Sequence, residues 1–133
     1  VVRALSMFCE EFSEKTGILT DFHSAGVEKL KLGFNTRINL YRMVQEGLNN
    51  IHKHAEATRA VVKLTAAYPH IILRIEDNGR GFDVEKRARE IDSEKRMGLR
   101  SLQERTDLLG GTMIVRSQPA QGTKILIKVP QGG

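Results

Sequence analysis

The sequence has one cysteine, few aromatic residues and no long hydrophobic run. Cys9 has no second thiol with which to form a disulfide or a cysteine metal cluster, and its place in the apolar pattern LSMFCEEF predicts a packed thiol. A lone cysteine fits a reducing compartment. No apolar stretch approaches the roughly 20 residues that cross a bilayer, and the N-terminus lacks a signal-peptide pattern, so we expect a soluble chain without membrane contact.

The positive charge is dispersed along the chain. A formal net charge of +5 favours anionic partners in general. Aromatic residues make up only 5% of the chain and basic runs are absent, so we expect solvated lysines and arginines and no nucleic-acid binding. With 40% hydrophobic side chains among its 133 residues, the chain has the length and the core of one globular domain, residues 1–133.

Three segments have the hydrophobic spacing of helices. The first covers about residues 1–16 and ends before Gly17, and the third ends at Gly110. Asn35 and Thr36 offer capping side chains to the second, which is the longest. The apolar faces consist of Leu5, Phe8 and Phe12 in the first helix, of Ile38, Tyr41, Val44, Leu48, Ile51 and Ala55 in the second, and of Leu99, Leu102, Thr106 and Leu109 in the third.

Other segments have the composition of strands. An extended stretch runs from Ile18 to about His23. The β-branched segments RAVVKLTA and HIILRIE, joined by Tyr68-Pro69, predict two adjacent strands with a turn between them. TMIVRSQ and TKILIKVP, separated by residues 119–122, predict a closing hairpin. We therefore predict the α+β class, a two-layer α/β sandwich in which helices cover one face of a mixed, mostly antiparallel sheet.

The long helix carries a polar face opposite its apolar stripe. Glu46, Asn50 and Lys53 share that face, since they lie at positions i, i+4 and i+7. A carboxylate and an amide oxygen one turn apart suit Mg²⁺, which is usually bound by one or two protein ligands together with waters and substrate phosphates, and an ammonium group can contact phosphate directly. An exposed helix face with a Glu46–Asn50 contact is the alternative.

An apolar strand ends abruptly in the segment IEDNGRGFD. Asp77 follows alternating apolar residues at the edge of the sheet, where a half-buried carboxylate needs a donor such as the exocyclic amine of a purine. Gly79 and Gly81 allow positive φ and let the backbone pass close against a flat ligand. The same residue types form ordinary tight turns, which is the alternative. The spacing fits neither a Rossmann turn, a P-loop nor an EF-hand.

Four segments, in their order along the chain, resemble a known superfamily. They are EGLNNIHKHAEAT, EDNGRGFD, GLRSLQERTDLLGG and PAQGTKILIKVP. In sequence and spacing they are similar to the N, G1 and G2 boxes and the closing G-T of the Bergerat-fold (GHKL) ATPases, which include gyrase, MutL, chaperones of the ninety-kilodalton heat-shock class and histidine kinases. The resemblance covers about residues 17–130 and is strongest to sensor histidine kinases of the NarX/NarQ type.

The resemblance implies roles at the phosphate end of an ATP site. Asn50 would hold Mg²⁺, and Glu46 would lie near the metal or polarise the attacking group as the catalytic residue. Lys53 would reach the phosphates. Gly98 and Leu99 would begin a helix whose N-terminal amides face the phosphates, a placement that the helix dipole and the free N–H groups favour.

The resemblance also implies roles at the adenine end. Asp77 would bind the adenine amine directly and through water, and Thr123 would hydrogen-bond the same edge of the base. Gly79 and Gly81 would line the purine. Residues of about 82–97 would form a lid over the nucleotide.

Two departures from the family pattern affect the prediction. Arg96 stands where many relatives have glycine, so the loop beside the phosphates is expected to be stiffer or to contact phosphate through the guanidinium. No histidine is followed by an acidic residue, as the phosphoacceptor of the relatives is; the four are His23, His52, His54 and His70. We therefore expect a catalytic fragment of a longer kinase, with residues 1–16 as a helix or linker from a missing dimerisation domain.

The function implied by the resemblance is that of a protein histidine kinase. The chain would transfer the γ-phosphoryl group of ATP to a histidine on its own dimerisation domain, for relay to a response regulator with a helix-turn-helix output domain. We expect the fragment to be monomeric, nearly inactive alone and cytoplasmic, with a membrane-bound parent sensor left open. The alternatives are another Bergerat-fold module, either an ATPase or an anti-sigma serine kinase, and a degenerate protein-interaction domain.

Overall fold

The computed structural model describes residues 1–81 and 93–131, with side chains for 1–81 and 99–131. The elements are α1 (Val2–Thr16), β1 (Leu19–Ala25), a 3₁₀ turn (Val27–Lys29), α2 (Phe34–His54), β2 (Arg59–Ala67), β3 (His70–Asp77), α3 (Ser93–Leu108), β4 (Thr112–Ser117) and β5 (Thr123–Pro130). None of the helices in the described part of the chain is long and apolar enough to span a membrane.

The five strands form one mixed sheet in the order β1-β2-β3-β5-β4. β1 pairs with β2 in parallel and the other three pairs are antiparallel. Alternate residues of the central strands are buried, while Lys63, Arg74 and Lys128 on the other face are exposed. This alternation confirms the predicted two-layer α+β arrangement, because only one face of the sheet is covered.

The buried face of α2 is wider than its predicted stripe. Val44, Leu48 and Ile51 are buried as predicted, but Leu40 and Met43 are buried as well, because α2 contacts both the sheet and α3. The predicted cap was wrong. The residue that precedes the helix is Gly33, which makes no side-chain capping bond, and the predicted capping pair Asn35-Thr36 lies inside the first turn.

The start predicted for α3 was also wrong. The helix begins at Ser93, so Gly98 and Leu99 lie in its interior, where a backbone N–H normally bonds the carbonyl four residues earlier. Residues 94–97 are Glu, Lys, Arg and Met, all strong helix formers, which explains the earlier start. The predicted end is confirmed: Gly110 has a φ of 72°, and the amide of Gly111 donates to the carbonyl of Thr106 at 2.9 Å.

Helix α1 contributes to the same core as the rest of the chain. Leu5, Cys9 and Phe12 are buried in one cluster with residues of α2 and the sheet. Burial raises the pKa of the Cys9 thiol to about 11, so the predicted packed thiol is confirmed and little thiolate forms near neutral pH. The helix ends at Thr16 and is followed by Gly17, whose φ of 77° places it in the left-handed region.

Candidate ATP-binding site

Asp77 lies at the end of β3 on the covered face of the sheet. It pairs with Ala60 of β2 and with Thr123 of β5, which in turn pairs with Ser117 of β4. These four residues form one row across the sheet. The Thr123 and Ser117 hydroxyl oxygens are 2.8 Å apart and form a hydrogen bond. Thr123 is the threonine predicted to bind adenine, whereas the sequence prediction had missed Ser117.

The Asp77 carboxylate is held by backbone amides. Its Oδ1 accepts a hydrogen bond from the amide of Gly79 at 2.8 Å. Burial raises the pKa of Asp77, and hydrogen bonds from the backbone of Gly79 and Thr123 partly oppose that rise. Among the described residues it forms no ion pair, so a half-buried acceptor remains available to a donor from outside the chain.

Asn78 joins the end of β3 to the start of β2. Its side-chain Oδ1 accepts hydrogen bonds from the amides of Thr58 at 3.0 Å and Arg59 at 2.9 Å. Its Nδ2 donates to the Thr58 hydroxyl at 2.8 Å, and its own amide donates to the Arg59 carbonyl at 3.2 Å. The short polar side chain therefore holds the connection between α2 and β2.

The two glycines of this segment are required by the packing of the chain itself. A Cβ at Gly79 would collide with the carbonyl oxygen of Ala55, just after α2. Gly81 has a φ of 62°, as the positive-φ prediction allows, and a Cβ there would collide with the carbonyl oxygen of Gln118 in the β4–β5 connection. Gly79 does not have positive φ. The contact of either glycine with a purine stays a prediction.

Arg80 attaches the same segment to the C-terminal end of α2. Its amide donates to the carbonyl of Ala55 at 2.7 Å, and its Nε donates to the carbonyl of His54 at 2.8 Å. The amide of Ala120 donates back to the Arg80 carbonyl. Consequently Asp77 lies beside the end of α2 that carries Asn50 and Lys53. Sequence reasoning missed Arg80, because its partners are backbone groups with no sequence signature.

The polar face of α2 is covered by α3. Asn39, Met43, Glu46 and Asn50 fall within about 60° of one another around the helix. Met43 is buried, Glu46 and Asn50 are half-buried, and Lys53 is exposed in the last turn. The alternative of an exposed face with a Glu46–Asn50 contact is therefore wrong for this part of the helix.

Glu46 makes its contacts with α3. Its Oε2 accepts a hydrogen bond from Ser101 Oγ at 2.9 Å, and its Oε1 accepts one from Arg105 Nε at 3.0 Å. The two charged side chains are 27% and 29% exposed, respectively. Its predicted role near the metal or the attacking group stays a prediction.

Asn50 has a feature that fits a cation. Its Oδ1 is buried and has no hydrogen-bond partner in the part of the chain that the structure describes. An unsatisfied amide oxygen is unfavourable in a folded chain and is an appropriate ligand for Mg²⁺. Among the side chains that the structure describes, in 1–81 and 99–131, there is no group of three or more His, Cys, Asp or Glu that could hold a metal.

The remaining predicted residues are only partly described. Leu99 is half-buried against the core, and Gly98 lies in the same helix. Most of the predicted lid, residues 82–92, and the side chain of Arg96 lie outside the described residues. The described residues thus bring Asp77, Thr123, Asn50 and Lys53 to one end of the domain.

Comparison with known proteins finds a matching family and several similar kinases. The family described as "Histidine kinase-, DNA gyrase B-, and HSP90-like ATPase" matches residues 35–133. The histidine-protein kinase/phosphatase DegS of Bacillus subtilis is 40% identical over 91% of the chain and 31% of its own length. The sensor histidine kinase MctS of Rhizobium johnstonii is 36% identical over 96% of the chain and 27% of its own length.

Solved structures agree on the fold. The histidine kinase domain of a blue-light activated kinase from Erythrobacter litoralis superposes with a TM-score of 0.72 at 21% identity, over 96% of this chain and 59% of that one. The catalytic domain of histidine kinase ThkA superposes with a TM-score of 0.68 at 17% identity, over 98% of this chain and 89% of that one. The chain spans about a third or less of the curated sensor kinases that it matches.

Proposed function

Because the chain belongs to the family of histidine kinase-, DNA gyrase B- and HSP90-like ATPases and is homologous to sensor histidine kinases over nearly its whole length, we propose that it transfers the ATP γ-phosphoryl group to a histidine on a separate domain. The acceptor would lie on a dimerisation domain, and the phosphoryl group would pass on to a response regulator. A helix-turn-helix output domain in that regulator and a relationship to the NarX/NarQ type are the finer parts of the proposal.

The single observation that carries the proposal is the environment of Asp77. A half-buried carboxylate, held by two backbone amides and without an ion pair among the described residues, stands in a row with two hydroxyl groups. The exocyclic amine of adenine supplies the donor that this acceptor lacks. The hydroxyl of Thr123 would hydrogen-bond the neighbouring edge of the base, and Ser117, whose Oγ donates to the carbonyl of Gly122 at 2.9 Å, would hold that hydroxyl in place.

The phosphate end of the proposed site lies on α2. Asn50 would hold Mg²⁺ through its unsatisfied Oδ1, and the ion would neutralise charge on the phosphates. Lys53, exposed in the last turn, would contact a phosphate oxygen. The remaining lone pairs of Glu46 would orient or polarise the attacking imidazole. Together, these residues would catalyse the transfer mostly by positioning the reactants and neutralising charge.

The transfer itself requires a second domain. A bond forms between an imidazole nitrogen and the γ-phosphorus while the bond from that phosphorus to the β–γ bridging oxygen breaks. ADP leaves, and the imidazole proton passes to a base. The chain alone would therefore bind nucleotide and turn over slowly. We place it in the cytoplasm, with residues 1–16 leading from the dimerisation domain and packing on an ATP-binding core of about 17–130, and with about 82–97 as the lid.

Isothermal titration with ADP and Mg²⁺ tests the adenine pocket. We expect saturable binding that Asp77→Asn abolishes, because the amide has a single acceptor oxygen and cannot accept with separate oxygens from the Gly79 amide and from the adenine amine. Asp21→Asn is the matched control, since Asp21 is exposed on β1 and should leave the affinity unchanged. An unmodified chain that does not bind millimolar ADP would contradict the proposal.

Incubation with labelled ATP and a phosphoacceptor domain tests the reaction class. We expect label on the acceptor in an acid-labile form, as phosphohistidine is. Acid-stable label would indicate a serine kinase, and ADP formation without any labelled protein would indicate an ATPase. A chain that neither binds nucleotide nor transfers phosphate would be a protein-interaction domain.

A further inference from the structure

Four polar residues form a connected bridge between α2 and α3, which we call the Glu46 bridge. Asn39 and Glu46 come from α2, and Ser101 and Arg105 come from α3. Each carboxylate oxygen of Glu46 accepts one hydrogen bond, from Ser101 Oγ at 2.9 Å and from Arg105 Nε at 3.0 Å. The plane of the carboxylate is therefore fixed by two donors on separate atoms.

Arg105 is itself held at a second point. Its Nη1 donates to Asn39 Oδ1 at 3.1 Å. The Asn39 amide is oriented in turn, because its Nδ2 donates to the carbonyl of Asn35 at 2.8 Å. The guanidinium is thus anchored on both sides, which distinguishes it from a long basic side chain that samples many rotamers on a surface.

The bridge rests on a packed contact between the two helices. Leu102 and Thr106 of α3 are fully buried. The Thr106 hydroxyl donates to the carbonyl of Leu102 at 2.8 Å and lies 3.7 Å from the Met43 sulfur of α2. The core therefore sets the separation of α2 and α3, and the polar side chains above it are held to that separation.

We propose that Arg105 and Ser101 are positioning residues that hold the Glu46 carboxylate in one orientation for phosphoryl transfer. The proposal rests on the proposed function. A carboxylate offers about four acceptor positions, and the two donors of α3 occupy only two of them. Glu46 remains 27% exposed, so its other lone pairs are accessible to an incoming imidazole N–H.

A purely structural role for the Glu46–Arg105 ion pair predicts a different result. Partly exposed ion pairs contribute little to stability, so their removal changes folding slightly and chemistry not at all. A positioning role instead makes the effect of Arg105 depend on the presence of the Glu46 carboxylate. A double-mutant cycle on the reaction rate separates these two roles.

The experiment measures autophosphorylation at saturating ATP in the full-length kinase that contains this chain. Arg105→Gln should lower kcat by about 10- to 100-fold, as loss of a residue that orients a catalytic ligand does. The dissociation constant for ADP should stay close to the wild-type value. In a Glu46→Gln background the same change should produce no further loss of rate.

Further variants test Ser101 and provide a control for Arg105. Ser101→Ala should lower kcat and Ser101→Thr, which keeps the hydroxyl, should restore it. Arg100→Gln removes another arginine of α3, one whose exposed partner Glu104 lies 3.5 Å away, and should leave the rate unchanged. An equal loss from Arg105→Gln in both backgrounds would overturn the inference, as would a loss of ADP binding in step with the loss of rate.

Histidine labelling by the wild-type kinase distinguishes a failure of the proposed function from a failure of this inference. A wild-type kinase that binds ADP but labels no histidine would refute the proposed transfer and remove the basis of the inference with it. A wild-type kinase that labels its histidine, with Arg105→Gln as active as wild type, would refute the positioning role alone.

Discussion

Asp77 combines its proposed binding role with a cost to the fold. Burial raises its pKa in the folded chain above the ordinary value of 3.8. A raised folded-state pKa means that the stability associated with this group is fully present below the unfolded pKa and is lost as the pH rises through the folded pKa. At neutral pH the ionised carboxylate therefore destabilises the fold, although the proposed contact with the adenine amine needs that same acceptor.

Asp77→Asn should consequently separate stability from binding. Relative to wild type, the free energy of unfolding of the variant should rise as the pH increases above about 4, because the variant has no carboxyl group to ionise at this position. Urea unfolding at several pH values between 4 and 7 measures the difference, and titration with ADP measures the lost binding. A difference in stability that stays constant with pH would contradict the prediction.

Asn78 should be important for stability rather than for chemistry. Asn78→Ala removes three side-chain hydrogen bonds to Thr58 and Arg59 and should lower the free energy of unfolding by about 1–3 kcal/mol. Asn78→Asp keeps the acceptor and loses only the Nδ2 donor, so it should destabilise less. The exposed Asn49 of α2 offers the control, since Asn49→Ala should change stability by less than about 0.5 kcal/mol. Equal urea midpoints for Asn78→Ala and wild type would show that water replaces these bonds.

At the residue scale, the sequence could place Asp77 at the end of a strand but could not predict the structural contacts of the rest of the D-N-G-R-G segment. Asp77 was recognisable because a strand pattern ends in a carboxylate. The bonds of Asn78 reach about 20 positions back along the chain and those of Arg80 reach 26 positions back. Most of their acceptors and donors are backbone groups, which every residue carries, so no composition or spacing could identify them.

At the element scale, periodicity found one face of α2 and missed the second. The stripe of α2 that faces the sheet was predicted through Val44 and Leu48. Leu40 and Met43 became buried because α3 packs on a neighbouring face, and a contact between helices distant in sequence leaves no local pattern. The predicted starts of α2 and α3 were wrong for a related reason, since several starts are locally compatible with a helix.

Two leucines of α3 test whether its packing on α2 carries stability. Leu102 is fully buried and Leu108 is 77% exposed. Leu102→Ala should lower the free energy of unfolding by about 2–5 kcal/mol, whereas Leu108→Ala should change it by less than about 0.5 kcal/mol. Urea unfolding of the two variants gives both values under the same conditions. Similar values for the two would mean that α3 is not docked on α2 in solution.

At the scale of the whole molecule, the order of the strands in the sheet could not be predicted from the sequence. Each strand was predicted from its own composition, and the two hairpins followed from short connections. The placement of β5 between β3 and β4, and the parallel pairing of β1 with β2, depend on partners far apart in the chain. The alternation of buried residues fixed which face is covered, because a slip of one residue would expose the apolar side chains.

The N-terminal boundary of the domain can be tested through the packing of α1. If residues 1–16 were only a linker, truncating their aromatic residues would hardly affect the ATP-binding core. Phe12, however, is 5% exposed within the common core, whereas Phe34 at the start of α2 is 70% exposed. Phe12→Ala should therefore lower the free energy of unfolding by about 3–5 kcal/mol, and Phe34→Ala by less than about 0.5 kcal/mol. Thermal unfolding followed by circular dichroism, together with ADP titration of both variants, would measure the effect; equal stabilities would place the boundary after α1 and leave that helix to the dimerisation domain.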